Sequence, residues 1–250
     1  DSTFEITTEA ADAPMQIVWT GDDHAILLFR AITTDYLMGT VITYGDIAAS
    51  PVATVNAVAT TFIGVTRMTN TQAIAVYAGT SGYGKARTLN IENDEGSWII
   101  TVGAECAVNA AASTPGAVAK LVTNKAVCGF VTGGTLLTTY LLTVAGTGIT
   151  ATGAMAAVAA SNAPLTACNA NDTQVVFVGG APTTGAPRTM LFTADTGLGE
   201  VYLTASKDSA GALSTVAESQ SLSQASQAKL VHLATMTGGG TDEYSGTKCV

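Results

Sequence analysis

The stretch Phe62–Val102, FIGVTRMTNTQAIAVYAGTSGYGKARTLNIENDEGSWIITV, decides the fold. It contains four short runs of alternating or apolar residues, separated by Gly, Asn, Asp, Ser and Thr. Runs bounded by such turn residues are typical of a meander of four antiparallel strands. One sheet of this size does not bury both of its faces alone, so we expect further copies that pack against it.

The second strand of this stretch, AIAVY, has counterparts along the whole chain. They begin at Ala25, Ala73, Ala126, Val175 and Lys229, at intervals of 48 to 54 residues. A near-constant period of this size with four strands per copy predicts a β-propeller. A chain of 250 residues holds about five such copies.

We therefore predict a single all-β domain, a five-bladed β-propeller of four-stranded blades. The predicted blades span 14–58, 59–112, 113–161, 162–210, and 211–250 together with 1–13. The last copy ends one strand short, whereas the chain opens with a lone alternating strand. We expect Phe4–Thr8 to pair with Thr247–Val250, so that the N-terminal strand joins the last blade and closes the ring without an exposed blade edge.

Two further features bear on the strands. Arg87-Thr88-Leu89 and Arg188-Thr189-Met190-Leu191 resemble each other, and we interpret them as the same strand, the third, in two copies. The Ala-rich segments Ala104–Gly116 and Gly153–Ala163 have some helical character. Their position between blades favours outer strands and connections instead.

Composition limits the possible partners. The chain has 19 acidic and 10 basic residues, a net charge of −9, and only 12% charged residues. An acidic surface argues against nucleic acid and anionic membranes as partners. No window reaches the roughly 18 continuous apolar residues of a membrane helix, so we predict no membrane insertion. The first residue is Asp1, which indicates a processed, secreted product or, alternatively, a trimmed chain.

The cysteines leave their redox state open. Their number is even, which suits an oxidising compartment, and they are Cys106, Cys128, Cys168 and Cys249. Each lies in a strand-like run, where a buried free thiol is as compatible as a disulfide. No pair has Cys-x-x-Cys spacing, so we predict no zinc site and no cofactor. Asn171-Asp172-Thr173 is a glycosylation acceptor if the source glycosylates secreted proteins.

Residues for catalysis or metal binding are sparse. Glycoside hydrolysis requires paired carboxylates, and the plausible pair is Asp22 and Asp23, which we interpret as turn formers. With His24 they make the metal-binding candidate of the sequence, and two histidines are too few for a three-His site. We predict no catalytic residue.

Glycan binding is suggested by two tyrosines in similar positions. Sugar-binding propellers repeat aromatic residues that stack on pyranose rings. Tyr83 in SGYGKA and Tyr244 in DEYSGTK lie between the second and third strands of their copies. They are the predicted glycan-contacting residues of a lectin.

The repeat itself resembles a known group of sequences. Val65–Arg87 carries the entries VTRMTNTQAIAVY and GYGKAR, and it resembles short propeller repeats of large secreted bacterial surface proteins and phage-associated fibre proteins. The resemblance implies a propeller at the cell or virion surface that acts in adhesion or assembly. It implies no catalytic residues.

We accordingly predict a non-enzymatic structural or adhesion protein, extracellular or on a cell or virion surface. Few charges and many small outer-strand residues favour self-assembly into a homo-oligomer or filament, because soluble monomers carry more surface charge. The main alternative is a glycan-binding propeller lectin, with surface glycans as partners. A second alternative is a carbohydrate-active hydrolase.

Overall fold

The computed structural model describes residues 11–21, 23–43, 51–79, 81–154, 157–182, 187–208, 217–226, 229–238 and 241–249. These residues form twenty strands and no helix, which confirms the predicted all-β class. Within the same ranges, therefore, no helix is long and apolar enough to span a bilayer.

The strands follow one another as antiparallel meanders, which we name units 1 to 5. Unit 1 contains β1 (Ala11–Trp19), β2 (His24–Ala31), β3 (Leu37–Thr43) and β4 (Ala53–Asn56). Unit 2 contains β5 (Ile63–Thr69), β6 (Gln72–Ala78), β7 (Tyr83–Asp94) and β8 (Ser97–Val102). Unit 3 contains β9 (Cys106–Val122), β10 (Lys125–Thr132), β11 (Leu136–Ala145), β12 (Gly148–Ala151) and β13 (Ala157–Ala159).

Two further meanders complete the described chain. Unit 4 contains β14 (Ser161–Asn171), β15 (Gln174–Gly180), β16 (Pro187–Asp195) and β17 (Glu200–Asp208). Unit 5 contains β18 (Ala217–Ser226), β19 (Lys229–Gly238) and β20 (Thr241–Cys249). The predicted ring-closing segment Phe4–Thr8 lies outside the described residues, as does Val250.

Strand β9 belongs to two units. Its first part pairs with β7, from Cys106 opposite Ala86 to Ala112 opposite Tyr83. Its second part pairs with β10 as the first strand of unit 3, and this joins units 2 and 3 in one sheet. The short β13 likewise pairs with one half of β11, while β12 pairs with the other half. The described parts of both Ala-rich segments thus provide outer strands, as predicted.

Alternation along the second strands packs the units against one another. Ala73, Ala75 and Tyr77 of β6 belong to an apolar cluster with unit 1. Ile74 and Val76, between them in sequence, belong to a cluster with unit 3. Successive side chains of a strand point to opposite faces, so one apolar strand supplies both interfaces of its unit. A third cluster joins units 3 and 4 in the same way.

The first strands of the units lie innermost. Strand β1 contacts β5, β5 contacts β9, β9 contacts β14, and β14 contacts β18. Strands β1, β5, β9 and β14 surround a cavity of about 270 Å³. Sheets arranged radially around a central cavity are the architecture of a β-propeller.

The meander connectivity gives the molecule two distinct faces. The turns between first and second strands and between third and fourth strands lie on one face, which we call the turn face. The loops between second and third strands and the connections between units lie on the other, which we call the connection face.

Candidate functional site

A cluster of charged residues lies on the connection face of unit 2, on the side facing unit 1. Lys85 Nζ lies 2.8 Å from Glu105 Oε1, and Arg87 Nη2 lies 3.6 Å from Glu105 Oε2. Tyr77 OH donates to Glu105 Oε2 at 3.2 Å and accepts from Arg87 Nε at 2.9 Å. The Lys85, Arg87 and Glu105 side chains are 20–30% exposed, so they are both held in place and accessible to a ligand.

Strand register brings these residues together. Tyr77 on β6 is opposite Lys85 on β7, and Arg87 follows two residues later on the same face. Glu105 lies in the connection after β8, which is anchored by a hydrogen bond from Gly103 N to Thr88 O of 2.9 Å. A Cβ atom at Gly103 would overlap both Thr88 Oγ1 and the Thr147 carbonyl oxygen. The cluster therefore depends on glycine at this position.

Burial and charge set the protonation of the cluster. Burial raises the pKa of Tyr77 far above its usual range, so its phenol stays neutral and can donate to the carboxylate. Partial burial opposes the charge of Glu105, but hydrogen bonding to Lys85 and the charge of Lys85 outweigh it and lower the pKa of Glu105. The carboxyl group of Glu105 is therefore ionised at neutral pH.

The predicted glycan contact Tyr83 lies beside this cluster. Tyr83 is the first residue of β7 and is 44% exposed. It precedes Lys85 by two residues, so strand alternation puts both on the same face of β7. Tyr244 on β20 pairs with Thr235 on β19. This is the register position of Gly84, not that of Tyr83. The two tyrosines are therefore not equivalent by register, and the side chain of Tyr244 lies outside the described part of the chain.

A similar ion pair occurs in unit 4. Arg188 contacts Asp208 through Nε at 2.5 Å and Nη2 at 3.0 Å, and its Nη1 donates to Ala159 O at 2.8 Å. The Arg188 hydrogen bond lowers the pKa of Asp208. Arg188 is opposite Gly179 on β15, and Lys85 is opposite Tyr77 on β6. Gly179 and Tyr77 hold the same position in their strands, so Arg188 is equivalent to Lys85. Arg87 and Arg188 both lie on the third strand of their unit, as predicted. In strand register, however, Met190 holds the position of Arg87.

Of the predicted metal-binding residues, Asp23 and His24 lie on the turn face. His24 Nδ1 lies 2.6 Å from Asp23 Oδ1, and His24 Nε2 lies 3.2 Å from Asn70 O. The imidazole also stacks on Trp98, with ring centroids 4.2 Å apart. Asp22 lies outside the described residues. In this arrangement both ring nitrogens contact protein oxygens, and the described residues contain no group of three or more metal-binding side chains.

A second cavity, of about 330 Å³, opens on the turn face between units 2 and 3. Its lining is rich in hydroxyl and amide groups and includes Thr69, Thr71, Gln72, Asn90, Glu92 and Thr147. Gln72 Nε2 donates to Asn90 Oδ1 at 2.7 Å and to Gly146 O at 2.8 Å. One amide hydrogen of Gln72 thus bonds within unit 2, and the other holds units 2 and 3 together.

The central cavity differs in chemistry from these sites. Its described lining residues are apolar or neutral, among them Gln16, Ile17, Val65, Leu165 and Thr166. None of those lining residues is an Asp or Glu. The described surroundings of the cavity thus lack the carboxylate pair that glycoside hydrolysis uses.

Two of the cysteines with described side chains, Cys106 and Cys128, are free thiols. Cys128 is fully buried, and this burial raises the pKa of its thiol. The side chain of Cys249 lies outside the described part of the chain.

Comparison with solved structures places the fold among β-propellers. A form of AofleA from Arthrobotrys oligospora with three arginines replaced by alanine matches with a TM-score of 0.61 at 11% identity, over 96% of this chain and 74% of that one. NanB bound to Optactamide matches with a TM-score of 0.53 at 8% identity, over 80% and 32%. A six-bladed β-propeller lectin from Aleuria aurantia matches at 0.49 and 10% identity, over 95% and 81%. No protein-family model and no curated protein sequence matches the chain.

Proposed function

We propose that the protein is a β-propeller that binds glycans on its connection face. The observation that carries this proposal is the recurrence of a cation–carboxylate pair, Lys85–Glu105 in unit 2 and Arg188–Asp208 in unit 4, in which the two cations hold equivalent register positions. Recurring sites of similar composition are typical of lectins, whereas an enzyme needs a single catalytic centre. Charged groups held in place by neighbours provide directional donors and acceptors for sugar hydroxyls.

The exposed ring of Tyr83 completes this arrangement at unit 2. An aromatic ring offers an apolar face on which the C–H groups of a pyranose can pack. Lys85 and Glu105, next to it, provide a hydrogen-bond donor and an acceptor. One apolar platform with adjacent charged hydrogen-bonding groups is the combination that a shallow sugar site requires.

Binding without hydrolysis is supported by the pairing of charges. Each acid of the two sites is neutralised by a cation at 2.8 Å or less. Glycoside hydrolysis uses two carboxyl groups roughly 5 to 10 Å apart. Among the described residues, Lys85 contacts one acid, Glu105, and Arg188 contacts one acid, Asp208.

A glycan array with matched variants tests the proposal. Fucosides belong among the first probes, because the Aleuria aurantia lectin is known in complex with α-methyl-L-fucoside. We expect Tyr83→Ala and Lys85→Met each to weaken binding about tenfold. Arg67→Met removes the same charge from an exposed hairpin on the turn face and serves as the control. An unmodified protein that retains no glycan, or variants that bind as well as the control, would contradict the proposal.

We also propose that the five units close into a ring and that the protein acts outside the cell or on a virion. Met15, Ile17 and Trp19 lie on the side of β1 opposite Val18 and are 52–55% exposed. Val18 packs against unit 2, so these three face the side where the last unit would close the ring. Deleting residues 1–9 should then lower the melting temperature, and an unchanged melting temperature would contradict closure through the N-terminal strand.

Self-assembly is the second candidate, and the same apolar row supports it. If unit 5 does not cover Met15, Ile17 and Trp19, these side chains remain exposed on β1. A second copy of the chain presents the same apolar row and is therefore the partner that we expect to cover it. Sedimentation at micromolar concentration separates the cases. Ile17→Lys should abolish an oligomer that uses this row, whereas in a closed monomeric ring it should lower stability.

A further inference from the structure

We infer that the unit 2 site selects anionic glycans, those that carry a carboxylate or a sulfate group. This inference rests on the proposed glycan-binding function and assigns it a ligand class. Two cations, Lys85 and Arg87, meet a single carboxylate, that of Glu105. Tyr77, the fourth member of the cluster, is a neutral phenol and offsets neither charge.

Arg87 is the cation whose charge is left over. Lys85 Nζ lies within hydrogen-bond distance of Glu105, at 2.8 Å, but Arg87 Nη2 lies 3.6 Å away, beyond that range. The hydrogen bonds of Arg87 go to uncharged oxygens, at 2.9 Å to Tyr77 OH and 3.4 Å to Gly103 O. These bonds fix the guanidinium plane without neutralising it.

The surroundings do not remove this excess. Among the described residues, unit 1 contributes Arg30 and Asp35, one charge of each sign, and their Nε and Oδ1 atoms lie 3.6 Å apart. The loop that carries Val58 approaches the Lys85 side of the cluster, since a Cβ at Gly79 would lie 3.2 Å from Val58 Cγ2 and 3.6 Å from Lys85 Nζ. The site thus keeps one positive charge in a chain whose net charge is −9.

A fixed guanidinium suits an anionic group that presents two oxygens side by side. Its N–H groups match the two oxygens of a carboxylate or sulfate, which a lysine does not match in the same way. The Arg87 side chain is 26% exposed, so a ligand can reach it. Tyr83 on the same face of β7 would then contact the sugar ring that carries the anionic group.

Unit 4 provides an internal comparison. The charges of Arg188 and Asp208 balance one to one. Met190 is opposite Phe177, and Arg87 is opposite Ala75. These positions are equivalent, so unit 4 has a methionine where unit 2 has Arg87. The unit 4 site therefore lacks the extra cation. Arg87→Met makes the unit 2 site resemble the unit 4 site, and it is the most informative substitution for this inference.

The experiment compares neutral glycans with their carboxylated and sulfated counterparts on one array, including oligogalacturonate beside its methyl ester. We expect the wild-type chain to bind the anionic forms about tenfold more tightly, the effect of one charged hydrogen-bonding group. Arg87→Met should reduce this preference to about twofold or less, and Arg87→Lys should keep only part of it, because lysine has the charge but not the paired N–H groups. Glu105→Gln should increase it, because the cluster then has two uncompensated cations.

The outcomes separate the inference from the function on which it rests. Equal binding of neutral and anionic glycans, or a preference that Arg87→Met leaves intact, overturns the inference while glycan binding stands. If the wild-type chain binds no glycan on the array, the proposed function is overturned. If circular dichroism shows that Arg87→Met folds poorly, the other two variants test the inference. The preference for anionic glycans should fall in Arg87→Lys and rise in Glu105→Gln. The preference should also weaken as salt is raised.

Discussion

Lys125 Nζ donates a hydrogen bond to the carbonyl oxygen of Thr196 at 2.8 Å, and this joins the start of β10 to the turn between β16 and β17. Gln72 has the same place at the start of β6 and donates to Gly146 O, between β11 and β12, at 2.8 Å. His24, at the start of β2, stacks on Trp98 beside the turn between β7 and β8. The first residue of three second strands thus contacts the following unit on the turn face.

Removal of the Lys125 contact should loosen the interface between units 3 and 4. Lys125→Met keeps the apolar stem but not the hydrogen bond, and should lower the free energy of unfolding by roughly 1 kcal/mol. For a chain of this size we expect a melting temperature lower by about 2–4 °C. Arg67→Met is the control, because Arg67 bonds to Asn70 within its own hairpin. Equal melting of both variants would show that Lys125 does not join the units.

His24 combines stacking with two polar contacts, and substitutions can separate these. His24→Phe should keep the ring against Trp98 while it loses the contacts to Asp23 and to Asn70. His24→Ala loses both kinds of contact and leaves a cavity, so it should be the less stable variant. Urea unfolding followed by tryptophan fluorescence measures the difference. If His24→Phe is as unstable as His24→Ala, stacking contributes little.

Gly116 marks a close approach between units 2 and 3. A Cβ at this position would lie 2.5 Å from Phe62 Cε2 and 2.6 Å from Phe130 Cδ1, both in the apolar interface. Gly116→Ala should therefore displace the two rings and cost about 1–3 kcal/mol. Gly153→Ala is the matched control, because a Cβ there meets nothing within 4 Å. Thermal unfolding of both variants tests this, and equal melting would contradict the packing.

The second strands were predictable because each is a continuous apolar run between polar turns. The predicted starts at Ala25, Ala73, Ala126 and Val175 each lie one residue after the first residue of the strand. Both faces of these strands are covered by neighbouring units, which explains a run without alternation. The start predicted at Lys229 coincides with that of β19.

The charged cluster was not predictable in the same way. Glu105 meets Lys85 and Arg87 because the connection after β8 folds back over β7, and no local pattern encodes that return. The equivalence of Lys85 and Arg188 depends on strand register. Sequence similarity alone would align Arg188 with Arg87 instead. Tyr83 was predicted for its exposed loop chemistry, and its neighbours were found only from the structure.

The ion pair of Glu105 should make stability depend on pH. Although partial burial opposes its charge, Lys85 lowers the pKa of Glu105 in the folded chain. An acid whose pKa is lowered by folding stabilises the protein above its unfolded pKa, about 4.3, and this contribution is lost as pH falls through the folded pKa. From about pH 5 to pH 3, wild type should therefore lose more stability than Glu105→Gln.

Urea unfolding of both chains across this range measures the difference. The pair Arg188–Asp208 is present in both chains, so its own pH dependence cancels in the comparison. The two stability curves should converge toward low pH, because protonated Glu105 carries no more charge than glutamine. Curves that stay parallel from pH 7 to pH 3 would show that the Lys85–Glu105 pair does not stabilise the fold, and would leave Glu105 free to act only on a ligand.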